Sequence, residues 1–268
     1  VPDGVPFIEA LSRTTHLGIG AHQDDLDFMA FHGILECYKK ESLWFGGITC
    51  TDGAGSSRSG EFASVSDKEM KDLRREEQRC AASLGEYAFM IQLDYPSSEI
   101  RKASGDALIN DLRELLIATR PEVVYTHNLA DKHGSHIAVA LATIKALRSL
   151  PSELRPRKVI GCEVWRDLDW MPDEEKIIMD VSGGDQLACK LMECFQSQIA
   201  GGKRYDIAIQ GRRAANASFF DPYKTDGADQ IIFGMDLTPL AHDHTLDIEQ
   251  FVSGFIDRFH TKVKTALL

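Results

Sequence analysis

No stretch of the 268-residue chain is apolar for long enough to span a bilayer. The longest strongly apolar run, Ile137–Leu147, is interrupted by Thr143 and Lys145, well short of the ~18 residues a membrane helix needs. A basic N-terminal segment followed by an apolar core is also missing, so no signal peptide is expected and the expected location is the cytoplasm. Basic charge is in deficit, with 30 Lys+Arg against 41 Asp+Glu and a formal net charge of −11; such a field repels polyanions and argues against nucleic acid as a partner. The six cysteines (Cys37, Cys50, Cys80, Cys162, Cys189, Cys194) include no C-x-x-C pair. That spacing excludes a zinc ribbon or disulfide framework and predicts reduced thiols in the core. No linker, repeat or low-complexity tract divides the chain.

What is present is an average globular composition, 43% hydrophobic and 26% charged, with enough length for a full core. Strand-like runs occur at His16–Ala21, Leu43–Cys50, Tyr87–Leu93, Glu122–His127 and Lys158–Trp165. Between them Phe28–Lys40, Asp67–Leu84, Gly105–Thr119 and His136–Leu147 carry apolar residues at three- and four-residue spacing, and Ser66 with Glu69 reads as a capping box. Alternating strands and helices predict an α/β fold, a doubly wound, Rossmann-like parallel sheet with helices on both faces, because each parallel crossover needs a helix-length connection. After Trp165 a strand at Lys176–Val181, a helix at Gln186–Gln198, a long irregular stretch at 201–230 and a closing helix at Leu246–Lys264 are expected. The expected organisation is one domain over 1–268, with a core at about 14–182 and a C-terminal appendage from about 183 packed on the same sheet.

The first strand runs into Gly18-Ile-Gly20-Ala-His22-Gln23-Asp24-Asp25. This is no dinucleotide fingerprint: the third glycine falls at Gln23, and two carboxylates would repel a pyrophosphate. One Asp suffices to cap the following helix; two acids plus a His suit a cation. The fourth strand runs into His127-Asn128-Leu129-Ala130-Asp131-Lys132-His133-Gly134-Ser135-His136, a second His/Asp cluster at the same level. In a sheet of order 3-2-1-4-5, strands 1 and 4 are neighbours whose helices leave to opposite faces, so both clusters open into the crevice at their carboxyl ends. Mixed His and carboxylate ligands with an open position describe a catalytic zinc centre better than a structural zinc or an all-oxygen magnesium cage. The spare carboxylate and His supply an acid and a base for hydrolysing an amide or ester.

These residues resemble the LmbE-like, PIG-L-type zinc-dependent N-deacetylases of acetylated amino sugars. Ala21-His22-Gln23-Asp24-Asp25-Leu26 is similar to the family's A-H-P-D-D-E, with Gln for Pro and Leu for Glu, and His133-Gly134-Ser135-His136 to its H-P-D-H, with Gly for Pro and Ser for Asp. Arg74, Glu77, Ala81, Leu84 and Gly85 match its R-x-x-E-x-x-x-A-x-x-L-G. The resemblance implies His22, Asp25 and His136 as zinc ligands and Asp24 as general base. It implies His133 as the protonated group that stabilises the oxyanion, and Arg74 and Asp131 as substrate-side residues, with Asp131 also a candidate to orient His133. Ser135 removes a carboxylate partner that His133 has elsewhere in the family. The implied partner is a small N-acetylated sugar or glycoconjugate; an amidase for a larger acyl or sugar-thiol conjugate, and a non-catalytic carbohydrate-binding descendant, are the alternatives. His127 reads as a hydrogen-bonded core histidine, His242 and His244 as possible fold-back residues, and Lys203-Arg204 and Arg212-Arg213 as exposed loop charges.

Overall fold

A computed structural model describes residues 1–102 and 106–268. Seven strands, β1 (His16–Gly20), β2 (Phe45–Thr51), β3 (Phe89–Tyr95), β4 (Val123–His127), β5 (Lys158–Cys162), β6 (Lys176–Asp180) and β7 (Ile231–Asp236), form one sheet of order β3-β2-β1-β4-β5-β7-β6. The first five run parallel, in the predicted order 3-2-1-4-5. Strand β7 is antiparallel to both β5 and β6.

Alternation along the strands builds two cores. Leu17, Ile19, Val124 and Val159 face one side, with Phe233 and Met235 of β7, while Phe45, Tyr125, Ile160 and Ile232 face the other, as the two-residue period of a strand requires. Twelve α-helices are found among the described residues. Helices α1 (Phe7–Ser12), α2 (Asp25–Met29), α3 (Phe31–Cys37), α4 (Asp67–Leu84), α5 (Ser97–Ile100), α6 (Asp106–Thr119) and α7 (Gly134–Arg148) accompany the parallel strands. Helices α8 (Asp185–Glu193), α9 (Gln196–Ile199), α10 (Tyr205–Ser218), α11 (Thr238–His242) and α12 (Ile248–Ala266) follow. Apolar residues of α6, α7 and α11 cover the first face and those of α2, α3 and α8 the second. No described helix is long and apolar enough to cross a membrane.

Three expectations change. The helix expected over Phe28–Lys40 is broken at Ala30 (φ −97°, ψ 15°) into α2 and α3. The irregular stretch at 201–230 contains α10, whose buried residues are Arg213, Asn216 and Ala217; with polar groups on its inner face it lacks the apolar stripe that marks a helix. The segment after 182 does more than pack on the sheet, because its β7 is inserted between β5 and β6. A short apolar run buried on both faces shows no alternation, so periodicity does not reveal it. The helix start expected at Gly105 lies outside the described residues.

Helix α3 reaches the sheet through Gly33, where an added Cβ would stand 2.5 Å from the Tyr125 ring. Tyr125 is buried in the second core and cannot move aside freely. Gly33→Ala is therefore expected to lower unfolding free energy by about 1–3 kcal/mol, read from the midpoint of urea denaturation; an unchanged midpoint contradicts this packing.

Candidate metal centre and active site

Strands β1 and β4 are parallel neighbours, and the elements that follow them, α2 and α7, join opposite cores. The crevice between their carboxyl ends holds both His/Asp clusters. His22 Nδ1 lies 3.2 Å from His136 Nε2 and 3.2 Å from Asp25 Oδ2, and His136 Nε2 lies 3.3 Å from Asp25 Oδ1. Donors bound to one zinc at ~2.0–2.1 Å in tetrahedral geometry stand roughly 3.3 Å apart. The two Asp25 edges run to different oxygens, Oδ2 toward His22 and Oδ1 toward His136, and the donor groups that close on one another are His22, His133 and His136, and Asp25, His127 and His136; a mixed imidazole and carboxylate set of this kind fits zinc. The Asp25 carboxylate also accepts the His22 backbone N–H at 2.6 Å, which fixes its direction.

The surrounding groups hold these three in place. Asp131 is buried and keeps Oδ2 3.4 Å from His136 Nδ1, the ring nitrogen opposite the one that meets Asp25, as carboxylates behind ligating imidazoles do. Its other contacts are the backbone N–H groups of His133 and Trp165. It stands behind His136 and is not on the cavity wall, so the expected substrate-side role has no geometric support. His127 is fully buried and stacks on His136, with ring centroids 3.8 Å apart. Its Nε2 accepts the Ala21 N–H at 2.9 Å, which engages the nitrogen that faces Asp25. It is buried and hydrogen-bonded through that nitrogen, as a core histidine would be, but its Nδ1 has no partner among the described residues, and with Asp25 and His136 it also forms a group that could hold a metal ion.

Charge is balanced inside this cluster. Burial would raise the Asp25 carboxyl, but the imidazoles of His136, His127 and His22 outweigh it and hold it well below the usual range. Burial works against a charged His136 too, yet Asp25 and Asp131 lift it to about 9; a metal taking that place displaces a proton. Burial, with His22 and His136 facing it, pushes His133 down to about 4. The ring is therefore neutral at neutral pH, and the protonated state expected for it is not the one this environment favours.

Asp24 adopts φ 92°, a conformation that costs non-glycine residues of order 1–3 kcal/mol. Its N–H donates to Gln78 Oε1 at 3.0 Å, and Gln78 Nε2 donates to Asp27 Oδ2 at 2.9 Å. Tyr87 OH reaches the other Asp27 oxygen at 2.7 Å, and Arg213 donates to the Phe28 carbonyl at 2.9 Å. Arg74 is 1% exposed; its guanidinium pairs with Asp24 at 2.9 Å and Glu77 at 3.0 Å and donates to the Gln23 carbonyl. Glu77 in turn accepts the N–H and hydroxyl of Ser197 at 2.7 and 2.8 Å. Arg74 touches the cavity, but its charge is spent on protein groups, chiefly Asp24. Burial, opposed by Arg74 and reinforced by Asp25, pushes the Asp24 carboxyl up to about 6.

Gln78, Asp27 and Tyr87 were not singled out in the sequence, and Ser197-Gln198 only as a loose family likeness with no role attached. The signal for Gln78 was available: Met70, Arg74, Glu77, Gln78 and Ala81 share the buried stripe of α4, so three polar residues occupy positions where an amphipathic helix has apolar ones. The site opens into a cavity of about 580 Å³ whose lining includes His22, Asp24, His133, Trp165, Lys203 and Tyr205. His242 and His244 face elsewhere, contacting the Pro156 carbonyl and Arg155.

Residues 17–147 match the profile of the family described as PIG-L: GlcNAc-PI de-N-acetylase. No curated protein matches the sequence. Among solved structures, N,N'-diacetylchitobiose deacetylase from Pyrococcus horikoshii is 17% identical at a TM-score of 0.66, with 89% of this chain and 88% of that one covered. GalB, the 4-carboxy-2-hydroxymuconate hydratase from Pseudomonas putida KT2440, is 18% identical at a TM-score of 0.64, with 83% and 95% covered. The A40926 pseudoaglycone deacetylase Dbv21 is 16% identical at a TM-score of 0.60, with 84% and 98% covered. At these identities the likeness is one of fold, and a hydratase among the deacetylases shows that the fold carries more than one chemistry.

Replacing Gln78 with Leu leaves the Asp24 N–H and the buried Asp27 carboxyl each short of a partner. Gln78→Leu is expected to cost about 2–6 kcal/mol of stability, since each of the two orphaned groups costs ~1–3. Equilibrium denaturation that gives less than 0.5 kcal/mol, a bound of about the size typical of neutral surface changes, counts against this support.

Proposed function

The chain carries a PIG-L-family domain over residues 17–147, and on that premise we propose that it is a zinc-dependent N-deacetylase acting on an N-acetylated sugar or glycoconjugate. The observation that carries this reading is the meeting of His22, Asp25 and His136 donors at 3.2–3.3 Å, with Asp24 and His133 beside them in one cavity. His22, Asp25 and His136 would hold the metal, oriented from behind by Asp131. When bound, zinc lowers the pKa of water to about 7 and polarises a carbonyl.

The chain's own groups supply the rest. Asp24, with its carboxyl at about 6, is suited to take a proton from the attacking water and return it to the departing nitrogen. Arg74 and Glu77 hold that carboxylate against the cavity. His133, neutral in these surroundings, acts as an N–H donor to the acetamide oxygen as charge develops there, a role a neutral imidazole can fill. Trp165 and Tyr205 give the cavity ring surfaces against which the apolar face of a sugar rests.

Purified protein is expected to carry about one zinc per chain and to release acetate from members of a panel of N-acetyl sugars and their lipid- or nucleotide-linked derivatives. Bound zinc with no acetate from any of them would favour a non-catalytic carbohydrate-binding protein. The two neighbouring carboxylates separate the roles further. Asp25→Asn should weaken metal binding and be rescued in part by added zinc. Asp24→Asn should keep its zinc and its substrate affinity while kcat falls ~10²–10⁴-fold, with no rescue by metal. Zinc loss in Asp24→Asn together with retention in Asp25→Asn reverses the assignment.

A further inference from the structure

The expectation that all six cysteines are core residues holds for three of them. Cys37, Cys50 and Cys162 are buried, whereas Cys80 is exposed and Cys189 and Cys194 are half-buried. Cys80 lies on α4 and Cys194 ends α8, 114 positions apart in the chain, yet their sulfur atoms stand 2.9 Å apart. That is within about 1 Å of a disulfide bond. Cys189 has Gln210 Nε2, and not a thiol, at 3.3 Å.

We infer that Cys80 and Cys194 form a thiol–disulfide exchange site that closes into an intramolecular disulfide on meeting a low-molecular-weight disulfide such as oxidised glutathione. Cys80, the accessible thiol, is the attacking group. Its thiolate, having given its proton to solvent, bonds to one sulfur of oxidised glutathione and expels the other half as glutathione. Cys194 then loses its proton, attacks the Cys80 sulfur and expels the second glutathione. Two protein thiols are oxidised by two electrons, and one small disulfide is reduced to two thiols. Burial and the neighbouring Cys80 thiol raise the Cys194 pKa, which suits it to the second, intramolecular step, where proximity compensates for a small thiolate fraction.

The position ties this chemistry to the active site. Cys80 lies one helical turn beyond Glu77, and Cys194 lies three residues before Ser197, whose N–H and hydroxyl both bind Glu77. The disulfide would fasten together the same two surfaces that this contact joins beneath Arg74 and Asp24.

The test uses the intact, metal-loaded protein incubated with oxidised glutathione and then analysed by intact mass, non-reducing peptide mapping and thermal unfolding. The expected product is two hydrogen atoms lighter, maps to Cys80–Cys194, and melts roughly 5–10 °C higher because a long loop is closed in the unfolded chain; dithiothreitol reverses all three changes. Cys80→Ser should show neither the cross-link nor the rise in Tm, and Cys194→Ser should stop at a glutathione adduct on Cys80. A persistent adduct on Cys80 in the parent protein, a cross-link between other cysteines, or no reaction overturns the proposal.

Discussion

Two adjacent carboxylates, Asp24 and Asp25, are buried at the carboxyl end of β1, 6% and 3% exposed, and the rest of the site answers that constraint. Taking an ionised carboxylate out of water costs several kcal/mol even after the protein relaxes. Each acid has its own compensation. Asp25 is surrounded by three imidazoles, from the turn after β1, from β4 and from α7, and Asp24 is set against Arg74 from α4. The division lies in their partners: Asp25 sits among the imidazoles and Asp24, at a positive φ, against Arg74, while both border the cavity.

The polar groups beneath the turn follow from the same constraint. Asp27 is a third buried acid, and burial lifts it to about 7 against the hydrogen bonds from Gln78 and Tyr87. A carboxyl held near neutrality serves as a structural partner at less cost than a fixed charge. Gln78 couples it to the Asp24 N–H, so the backbone of the strained residue is tied through an amide while its side chain is held by Arg74.

How much of this was legible follows from which interactions are local. The five parallel strands and the capping box at Ser66 were read from period and cap chemistry, because those signals lie within a few residues of each other. The convergence of the two His/Asp clusters was read from topology, since the switch point of a parallel sheet brings two strand ends together whatever lies between them; His22, Asp25 and His136 were singled out within them only by the family resemblance. The supports of Asp24 were not read. Arg74 and Glu77 belong to a motif, but their partners Gln23 and Ser197 are 51 and 120 positions away, and no local pattern marks such a pair. Strand β7 escaped for the related reason that its place between β5 and β6 is set by tertiary pairing.

The C-terminal part of the chain thereby acquires a role that its separation in sequence conceals. The PIG-L match ends at residue 147, yet Ser197 binds Glu77, Arg213 binds the carbonyl of Phe28 at the end of α2, and Trp165 and Tyr205 line the cavity. From Ser197 the contacts run through Glu77 and Arg74 to Asp24, each link buried and between 2.7 and 3.0 Å. Removing one partner of a buried charged pair leaves the other uncompensated, so the chain of contacts stands or falls as a unit. The first half of the sequence supplies the His/Asp clusters, while the second half props Asp24 through Ser197 and contributes part of the cavity wall. The cavity wall is accordingly shared, with Ser56, Ser97 and Arg101 on one side from the first part of the chain and Trp165, Lys203 and Tyr205 from the segment after β5.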